Sequence, residues 1–458
     1  MICDNKMAAI HSKSKDVELP QLQLFDVPNT QYDVEGVRYE FIYPKNSIGG
    51  EDVPMEFEMT GTGEEFCDMA FAQILIGGKL VRIDGKPIDS MIVPVPTETD
   101  APKGGKDNVG MTNSSLHASF LSVTAKYNGV QTGPHSPDHA YIQHIQDTLG
   151  YGSDAKGTHM QNRFYFVDTP GYMDDITGLN EGLQARKKFT DNSQDFEMMG
   201  PLGVDVAGTN RFLINNVKVE VKIVRRASAF CLMADKDDYR LEITKAILIV
   251  KKIRLSVDAL TKIYAKLSAG ETAKYPYKRH EVKTFKIGHD ETVKVVDHLF
   301  NGIQPNLVVI GFVEEVAYHG KIDKNPFNFQ NLDITSLSVT SAGQQFPATP
   351  LKPDFRNKGV NKLAYNTIAS GTGIHHGDEG NCIDYKTFHD GTTLIVLDLT
   401  QDQSASQGTH WNGKRMGNFR LEMTLRQPTN KPIVGIVYAE FDALMQIDNN
   451  RNITLTSS

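Results

Sequence analysis

The chain has 458 residues, of which 40% are hydrophobic and 23% charged. That balance belongs to ordinary globular proteins and excludes wholesale disorder, collagen and coiled coil. Lys and Arg number 48 against 56 Asp and Glu, a formal net charge of −8. Affinity for phosphate backbones comes from cations displacing counterions, so no strong nucleic-acid binding is expected. At roughly 100–200 residues per domain the length suits two or three domains, each able to bury its own core.

Cys3, Cys67, Cys231 and Cys382 stand far apart with no CxxC pair. Zinc ribbons, redox motifs and a disulfide scaffold are therefore not expected, and the thiols read as reduced and mostly buried. Residues 1–20 hold no apolar core of signal-peptide length. The longest apolar runs, Leu307–Val313 and Ile433–Ala439, fall far short of a membrane span, so no membrane insertion is expected. Asn113-Ser114-Ser115 and Asn452-Ile453-Thr454 fit the glycosylation pattern, but without a secretion signal they read as chance matches.

In chain order, a strand is predicted at Tyr39–Tyr43, then another where Met55, Phe57 and Met59 alternate with Glu56 and Glu58. A helix is predicted from Ser136-Pro137, with Ser as cap and Pro at its first position. Tyr141, Ile145 and Leu149 line one face, and it stops at Gly150. A shorter helical piece fits Glu181–Lys188. Val217, Val219, Val221 and Ile223 alternate with Lys218, Glu220 and Lys222, the cleanest strand signal in the chain. Leu241–Leu255 follows as a strand, then a helix that opens at Ser256, repeats Leu260, Ile263, Tyr264 and Leu267, and ends at Gly270. Further strands are predicted at Val282–Ile287, Leu307–Val313, Leu332–Thr340, Thr393–Leu399, Phe419–Leu425 and Ile433–Ile447. Turn-rich clusters such as Gly104-Gly105-Lys106-Asp107-Asn108 and Ser370-Gly371-Thr372-Gly373 separate them. Many short strands with such spacing indicate sandwiches or barrels rather than βαβ units.

A pattern repeats. Asn216–Arg225 and Tyr239–Ser256, joined by a loop, resemble Asn418–Arg426 and Lys431–Asp448, joined by Gln427-Pro428-Thr429-Asn430. Two β domains, each closing with such a hairpin and divided near Ser256, would account for it.

Catalytic signatures are absent. Gly78-Lys79 and Gly105-Lys106 lack the rest of a P-loop, and neither HExxH nor GxSxG occurs. Gly371-x-Gly373 falls between strand-like segments with no helix after it, so it is no dinucleotide fingerprint. His375-His376-Gly377-Asp378-Glu379, with His389 downstream, comes nearest to a metal set. Adjacent His residues on an extended chain point in opposite directions, however, so a solvated loop is the better reading. Arg225-Arg226 reads as a solvated rim or an inter-subunit ion pair rather than a phosphate clamp. Lys274-Tyr275-Pro276-Tyr277-Lys278-Arg279-His280 mixes cations and aromatics as a single-strand-binding surface would, yet Pro276 and the acidic chain favour an extended arm. In residues 1–18 three Lys are balanced by Asp4, Asp16 and Glu18, so the tail is no basic arm. Trp411, alone of its kind in a Gly/Asn-rich turn, reads as a packing anchor before a ligand platform. No catalytic, cofactor-binding or metal-ligating residue is expected, and the chain reads as structural or binding rather than enzymatic. The long segments Pro94–Tyr127 and Asp168–Gly200 would then form towers or pack against neighbouring subunits.

Asn325-Pro326-Phe327-Asn328-Phe329, Leu332–Val339 and the segment from Phe346-Pro347 to Asp354-Phe355 resemble the capsid-type proteins of Polinton (Maverick) elements and adintovirus-like animal DNA viruses. Tyr151–Lys156, Ala229–Met233, Ala273–Phe285, Gly377–Asn381, Gly417–Glu422 and Val437–Phe441 fit as well, and the likeness runs from about Phe66 onward. The resemblance implies an all-β chain of two consecutive eight-stranded jelly-roll sandwiches with a few short helices and long loops. An N-terminal arm would span residues 1–30, the first jelly roll 31–256 and the second 257–458. Val217, Val219, Val221 and Ile223 would face the first core; Val434, Ile436 and Tyr438 would face the second. It also implies a major capsid protein of hexon type, forming homotrimers of pseudo-hexameric outline that tile an icosahedral shell. Its partners would be itself, neighbouring capsomers and penton or minor capsid proteins. Its place would be the virion, after synthesis in host cytosol and assembly in cytoplasm or nucleus. The alternatives are a penton-type minor capsid protein, a single jelly roll with large insertions, and a monomeric ligand-binding β-sandwich.

Overall fold

A computed structural model describes residues 13, 17–48, 50, 53–61, 63–92, 103–133, 136–357 and 360–457. The expectations about Cys3, the first 12 residues and the start of the Pro94–Tyr127 segment lie outside them.

Two sets of antiparallel strands follow one plan. The first comprises β1 (Val34–Ile42), β2 (Met55–Met59), β3 (Phe66–Arg82), β4 (Phe120–Tyr127), β5 (Val130–Thr132), β6 (Phe196–Pro201), β7 (Val219–Arg225) and β8 (Tyr239–Leu255). They form two sheets with the orders β1-β8-β3-β6 and β2-β7-β4-β5. The second set comprises β9 (Ala273–Ile287), β10 (Val293–Val296), β11 (Leu307–Glu314), β12 (Ile334–Ser341), β13 (Gln344–Leu351), β14 (Ile395–Asp398), β15 (Met416–Leu425) and β16 (Ile433–Ile447). Its orders are β9-β16-β11-β14 and β10-β15-β12-β13, the same path strand for strand. Shorter strands extend these sheets, among them Asn301–Ile303 on β15 and Ile453–Ser457 on β16. Two facing four-stranded sheets in this order make a jelly roll, and the chain holds two of them in tandem. A single roll with insertions is thereby replaced by a double one.

Alternation explains the inner faces of the first roll. Met55, Phe57 and Met59 on β2 and Val219, Val221 and Ile223 on β7 are buried, while the Glu and Lys residues between them reach outward. The predicted hairpins do not form. β7 pairs with β2 and β4, whereas β8 pairs with β1 and β3, so each sequence pair divides between opposite sheets, and β15 and β16 do the same. Alternation reports that one face is buried and carries no information about which strand lies alongside.

Helix α1 (His139–Gly150) begins later than predicted, with Asp138 rather than Ser136 at its N-cap. Ser136 Oγ instead accepts from the Asp138 amide at 3.3 Å. Helix α2 (Glu181–Phe189) is capped by Asn180, whose side chain accepts from Leu183 N. Helix α3 (Val257–Ser268) joins the two rolls, with Ser256 Oγ accepting from Ala259 N at 3.3 Å. The expected loop at Ser370–Gly373 is instead the end of helix α4 (Lys362–Thr372). Gly371 is needed there because a Cβ would come within 2.5 Å of Val396, and Gly373 ends the helix at φ +74°. The predicted arm at Lys274–His280 lies in the first half of β9, paired residue for residue with β16 from Gln446 to Glu440. β9 is an edge strand, so Pro276 removes no ladder hydrogen bond that the sheet requires.

Candidate assembly surfaces

A seam joins the rolls, built largely from the long connection between β5 and β6. Helix α1 from that connection lies on the outer side of the β9-β16-β11-β14 sheet, and its Tyr141, Ile145 and Leu149 join the core of the second roll. As a result all eight residues of β11 are buried, because its sheet has cover on both faces. Tyr141 is the centre of this packing. Its ring lies 5.7 Å from Phe327, 5.7 Å from Tyr318 and 6.0 Å from Phe230, and its hydroxyl donates to Pro326 O at 3.1 Å. His144 stacks on Phe327 at 4.0 Å, and burial holds its pKa down at about 3. Val434, Ile436 and Tyr438 are expected on the inner face of the second roll. Phe441 meets Phe300 there together with Val437 and Ala439, however, and the alternation along β16 turns the other three outward, with Tyr438 on this seam. Gln146 donates to its hydroxyl at 3.3 Å, and its ring stacks on His280, whose Nδ1 lies 2.8 Å from Asp205 Oδ1 of the first roll. A continuous apolar run such as Ile433–Ala439 does not reveal which face meets which neighbour.

Charged groups lock the same seam. Arg186 is wholly buried, donates to Asp168 Oδ1 at 2.6 Å and to Met111 O at 2.8 Å, and Asn325 of the second roll donates to Asp168 Oδ2 at 2.8 Å. Lys156 donates to Thr148 O at 2.8 Å and Asn381 O at 2.6 Å, and burial lowers its pKa to about 8. Asp168 and Arg186 thus take the Asp168–Gly200 segment into the chain's own interior, where a tower or neighbour contact was expected. Elsewhere along the seam the β6–β7 connection reaches the second roll. Ile214 N donates to the Tyr275 hydroxyl at 3.0 Å and Arg211 donates to Lys274 O at 2.6 Å.

On the equivalent outer face of the first roll, on the β1-β8-β3-β6 sheet, Ile247 and Ile249 of β8 are buried and the β1 edge is open. Cross-strand register sets Phe41 beside Ile249 and Gln73, and Ile247 beside Leu75 and Met199, all on the side away from Leu248, Ile74 and Met198 of the core. Phe41 is 57% exposed, with Tyr39 and Tyr43 similarly open, and Tyr39 lies 5.2 Å from the Phe71 ring. The opposite sheet of the same roll shows water a charged surface instead, with Lys222 near Glu56 and Lys218 near Glu220. Exposure of Tyr39, Phe41 and Tyr43 together makes the β1 edge the apolar part of this surface.

The motifs weighed for chemistry come apart in space. Arg225 is buried, not a solvated rim, and donates to Gly50 O at 3.1 Å and Leu241 O at 2.8 Å, while Arg226 lies over the Phe230 ring at 3.7 Å. His375 is exposed in a short 3-10 turn, and His389 Nε2 lies 2.8 Å from Phe355 O. Among the described residues no group of three or more His, Cys, Asp or Glu could hold a metal ion. Cys67 and Cys231 are buried and Cys382 is exposed. Trp411 is 54% exposed on the β14–β15 connection, beside a cleft shared with Tyr277, Asn306, Ser404, His410 and Asp442. No described helix is long and apolar enough to cross a membrane.

The strand order defines the class, a double jelly roll, and solved structures share it. A chain of the Sputnik virophage particle superposes with a TM-score of 0.65 at 13% identity, covering 98% of this chain and 94% of that one. A chain of the PBCV-1 virus capsid gives 0.55 at 12% identity over 95% and 99%. The mavirus major capsid protein gives 0.52 at 9% identity over 99% and 97%. At such identities the likeness is one of fold. In sequence, an uncharacterized protein of Caenorhabditis elegans is 23% identical over 440 residues, 93% of this chain and 98% of that protein. No protein-family model matches the chain.

Proposed function

We propose that the chain is a structural virion protein, a major capsid protein of hexon type whose homotrimers, pseudo-hexameric in outline, tile an icosahedral shell. The observation that carries this reading is the pair of rolls with one strand order, locked by a buried seam on one outer sheet face and showing exposed aromatics, Tyr39, Phe41 and Tyr43, at the edge of the equivalent face. Repeated rigid blocks with an exposed aromatic edge suit a subunit that completes itself by association. The superposed chains from a virophage particle, a virus capsid and a major capsid protein support the same reading. The function is geometric rather than enzymatic. The rolls, over residues 31–256 and 257–458, would form a wall, with residues 1–30 as an arm. Other capsomers and penton or minor capsid proteins would be the partners, and the virion the site of action, after synthesis in host cytosol. The Polinton or adintovirus lineage is supported by the motif resemblance and by a relative in an animal, Caenorhabditis elegans.

Light scattering on a sizing column tests it. A homogeneous species of about three times 50.9 kDa is expected. A pentamer would move the assignment to the penton-type protein, and a monomer at every concentration would refute the capsid reading.

A further inference from the structure

Three sulfur atoms meet in the core of the first roll. Met59 is the last residue of β2 on one sheet, while Cys67 and Met69 lie two residues apart on β3 of the facing sheet and so share its inward face. The Cys67 Sγ lies 3.6 Å from the Met59 Sδ and 3.7 Å from the Met69 Sδ. All three residues are buried. The backbone holds Cys67 in place: its amide donates to Leu213 O at 2.9 Å, and its carbonyl accepts from Leu213 N at 2.7 Å. In the sheet of β2, cross-strand register carries a row from Met59 through Val219 of β7 to Tyr127 of β4. Tyr127 is wholly buried and stands near enough to Cys67 for the two to interact electrostatically. Its hydroxyl has no hydrogen-bond partner among the described residues. Buried hydroxyls are ordinarily paired, so an orphan beside a thiol points to a group that the site is built to receive.

We propose that this cluster binds a cuprous ion, with the Cys67 thiolate and the Met59 and Met69 thioethers as ligands and the Tyr127 hydroxyl donating to the thiolate sulfur. Soft thiolate and thioether donors select cuprous ion, whereas magnesium, calcium and manganese want oxygen. Charge points the same way. One thiolate balances one positive charge, and the neutral unit suits an apolar core, while a divalent ion would leave a net charge buried there. Sulfurs at about 2.3 Å from a metal stand about 4 Å apart in a trigonal plane, so each thioether has to draw back from the thiol by roughly 0.3–0.4 Å. Methionine, with three rotatable bonds, accommodates that shift. On binding, the Cys67 S–H bond breaks, an S–Cu bond forms, the proton leaves to solvent and copper stays cuprous. The bound ion ties β2 to β3 across the core and so staples the two sheets of the first roll.

The test is copper retention by the full chain carrying Cys3→Ser and Cys382→Ser, which removes the N-terminal and the exposed thiol. Cuprous ion is supplied without oxygen, both to the folded chain and during refolding, and bathocuproine disulfonate is titrated in as competitor. One copper per chain is expected, with a sulfur-only first shell by X-ray absorption and a higher Tm than the copper-free chain. Met59→Leu and Met69→Leu keep the core filled, and circular dichroism checks that they fold. Loss of an outer-shell partner already costs roughly 10–100-fold in metal affinity, so loss of one thioether is expected to weaken retention by about tenfold or more. Cys67→Ala is expected to abolish it. No copper held in either arm, a first shell of nitrogen or oxygen, or unchanged affinity in both Met variants would overturn the site. Every readout concerns a single chain, so the outcome is independent of whether copies assemble.

Discussion

Replacing Tyr141 tests whether the seam makes the two rolls one cooperative unit. Tyr141→Ala removes a fully buried ring from among Phe230, Tyr318, Phe327 and Phe329 and leaves the Pro326 carbonyl without its 3.1 Å donor. Truncation of a buried aromatic costs roughly 3–5 kcal/mol. An orphaned buried carbonyl adds on the order of 1 kcal/mol. Tyr141→Phe keeps the ring and loses only the hydrogen bond, a cost of about 1 kcal/mol. Unfolding entropy is about 2.1 cal/mol/K per residue, which over 458 residues makes 1 kcal/mol worth about 1 °C. The expected drop in Tm is therefore about 4–6 °C for Tyr141→Ala and about 1 °C for Tyr141→Phe, by differential scanning calorimetry at fixed protein concentration. Trp411 is the single Trp and lies in the second roll, so its fluorescence reports that roll while far-ultraviolet circular dichroism reports both. The two transitions should coincide in the wild type and separate in Tyr141→Ala. Equal Tm losses in the Ala and Phe variants, or an Ala variant that melts within 1 °C of wild type, would refute a seam built on this ring.

Three other outcomes are expected. Arg186→Met leaves the Asp168 carboxylate buried without its cation and should cost about 3–5 kcal/mol in denaturant unfolding, with part recovered by adding Asp168→Asn. His144 is held near 3 by burial against an ordinary 6.5, so the unfolded chain takes up a proton between those values and the folded one does not. Its contribution to stability is full above pH 6.5 and falls by about 1.4 kcal/mol per pH unit as pH drops toward 3. His144→Phe should flatten that dependence relative to wild type in urea titrations at pH 7 and pH 5, and an unchanged slope would contradict the burial. Val221→Asp, on β7 between Phe57 and Ala125, sets a carboxylate in the first core and should abolish soluble protein. Val221→Ala should remain soluble with a lower Tm, and soluble Val221→Asp at normal yield would refute the inward placement of that side chain.

Much of this architecture was written locally. The alternation of Val219, Val221 and Ile223 with charged residues demands a half-buried strand wherever it lands, and Ser256 before the Leu260–Leu267 stripe demands a helix. Strands whose alternation is broken escaped notice. β3 is long and carries Gly77 and Gly78, β4 mixes Ser, Thr and Ala into its apolar positions, and β6, β10 and β13 are short or interrupted by Gly and Pro, so no two-residue period stands out. Helix α4 was hidden by its own Gly371, which reads as a turn until Val396 is seen pressed against it. Chemistry was legible chiefly as absence, because catalytic motifs are short and local.

What tertiary structure alone decided is the meaning of the apolar surface. Tyr39, Phe41 and Tyr43 form a strand stripe like any other in sequence, and Ile433–Ala439 reads as a core run like any other. Only the packing shows that the second sheet is covered on both sides by its own chain, while the first leaves Tyr39, Phe41 and Tyr43 exposed at its β1 edge. Cover depends on which distant segment crosses a face, and here that segment is α1, far from β16 in sequence yet laid upon its sheet. Local propensity sets which residues seek burial; the long-range path of the chain sets which of them find it within one copy and which are left for another.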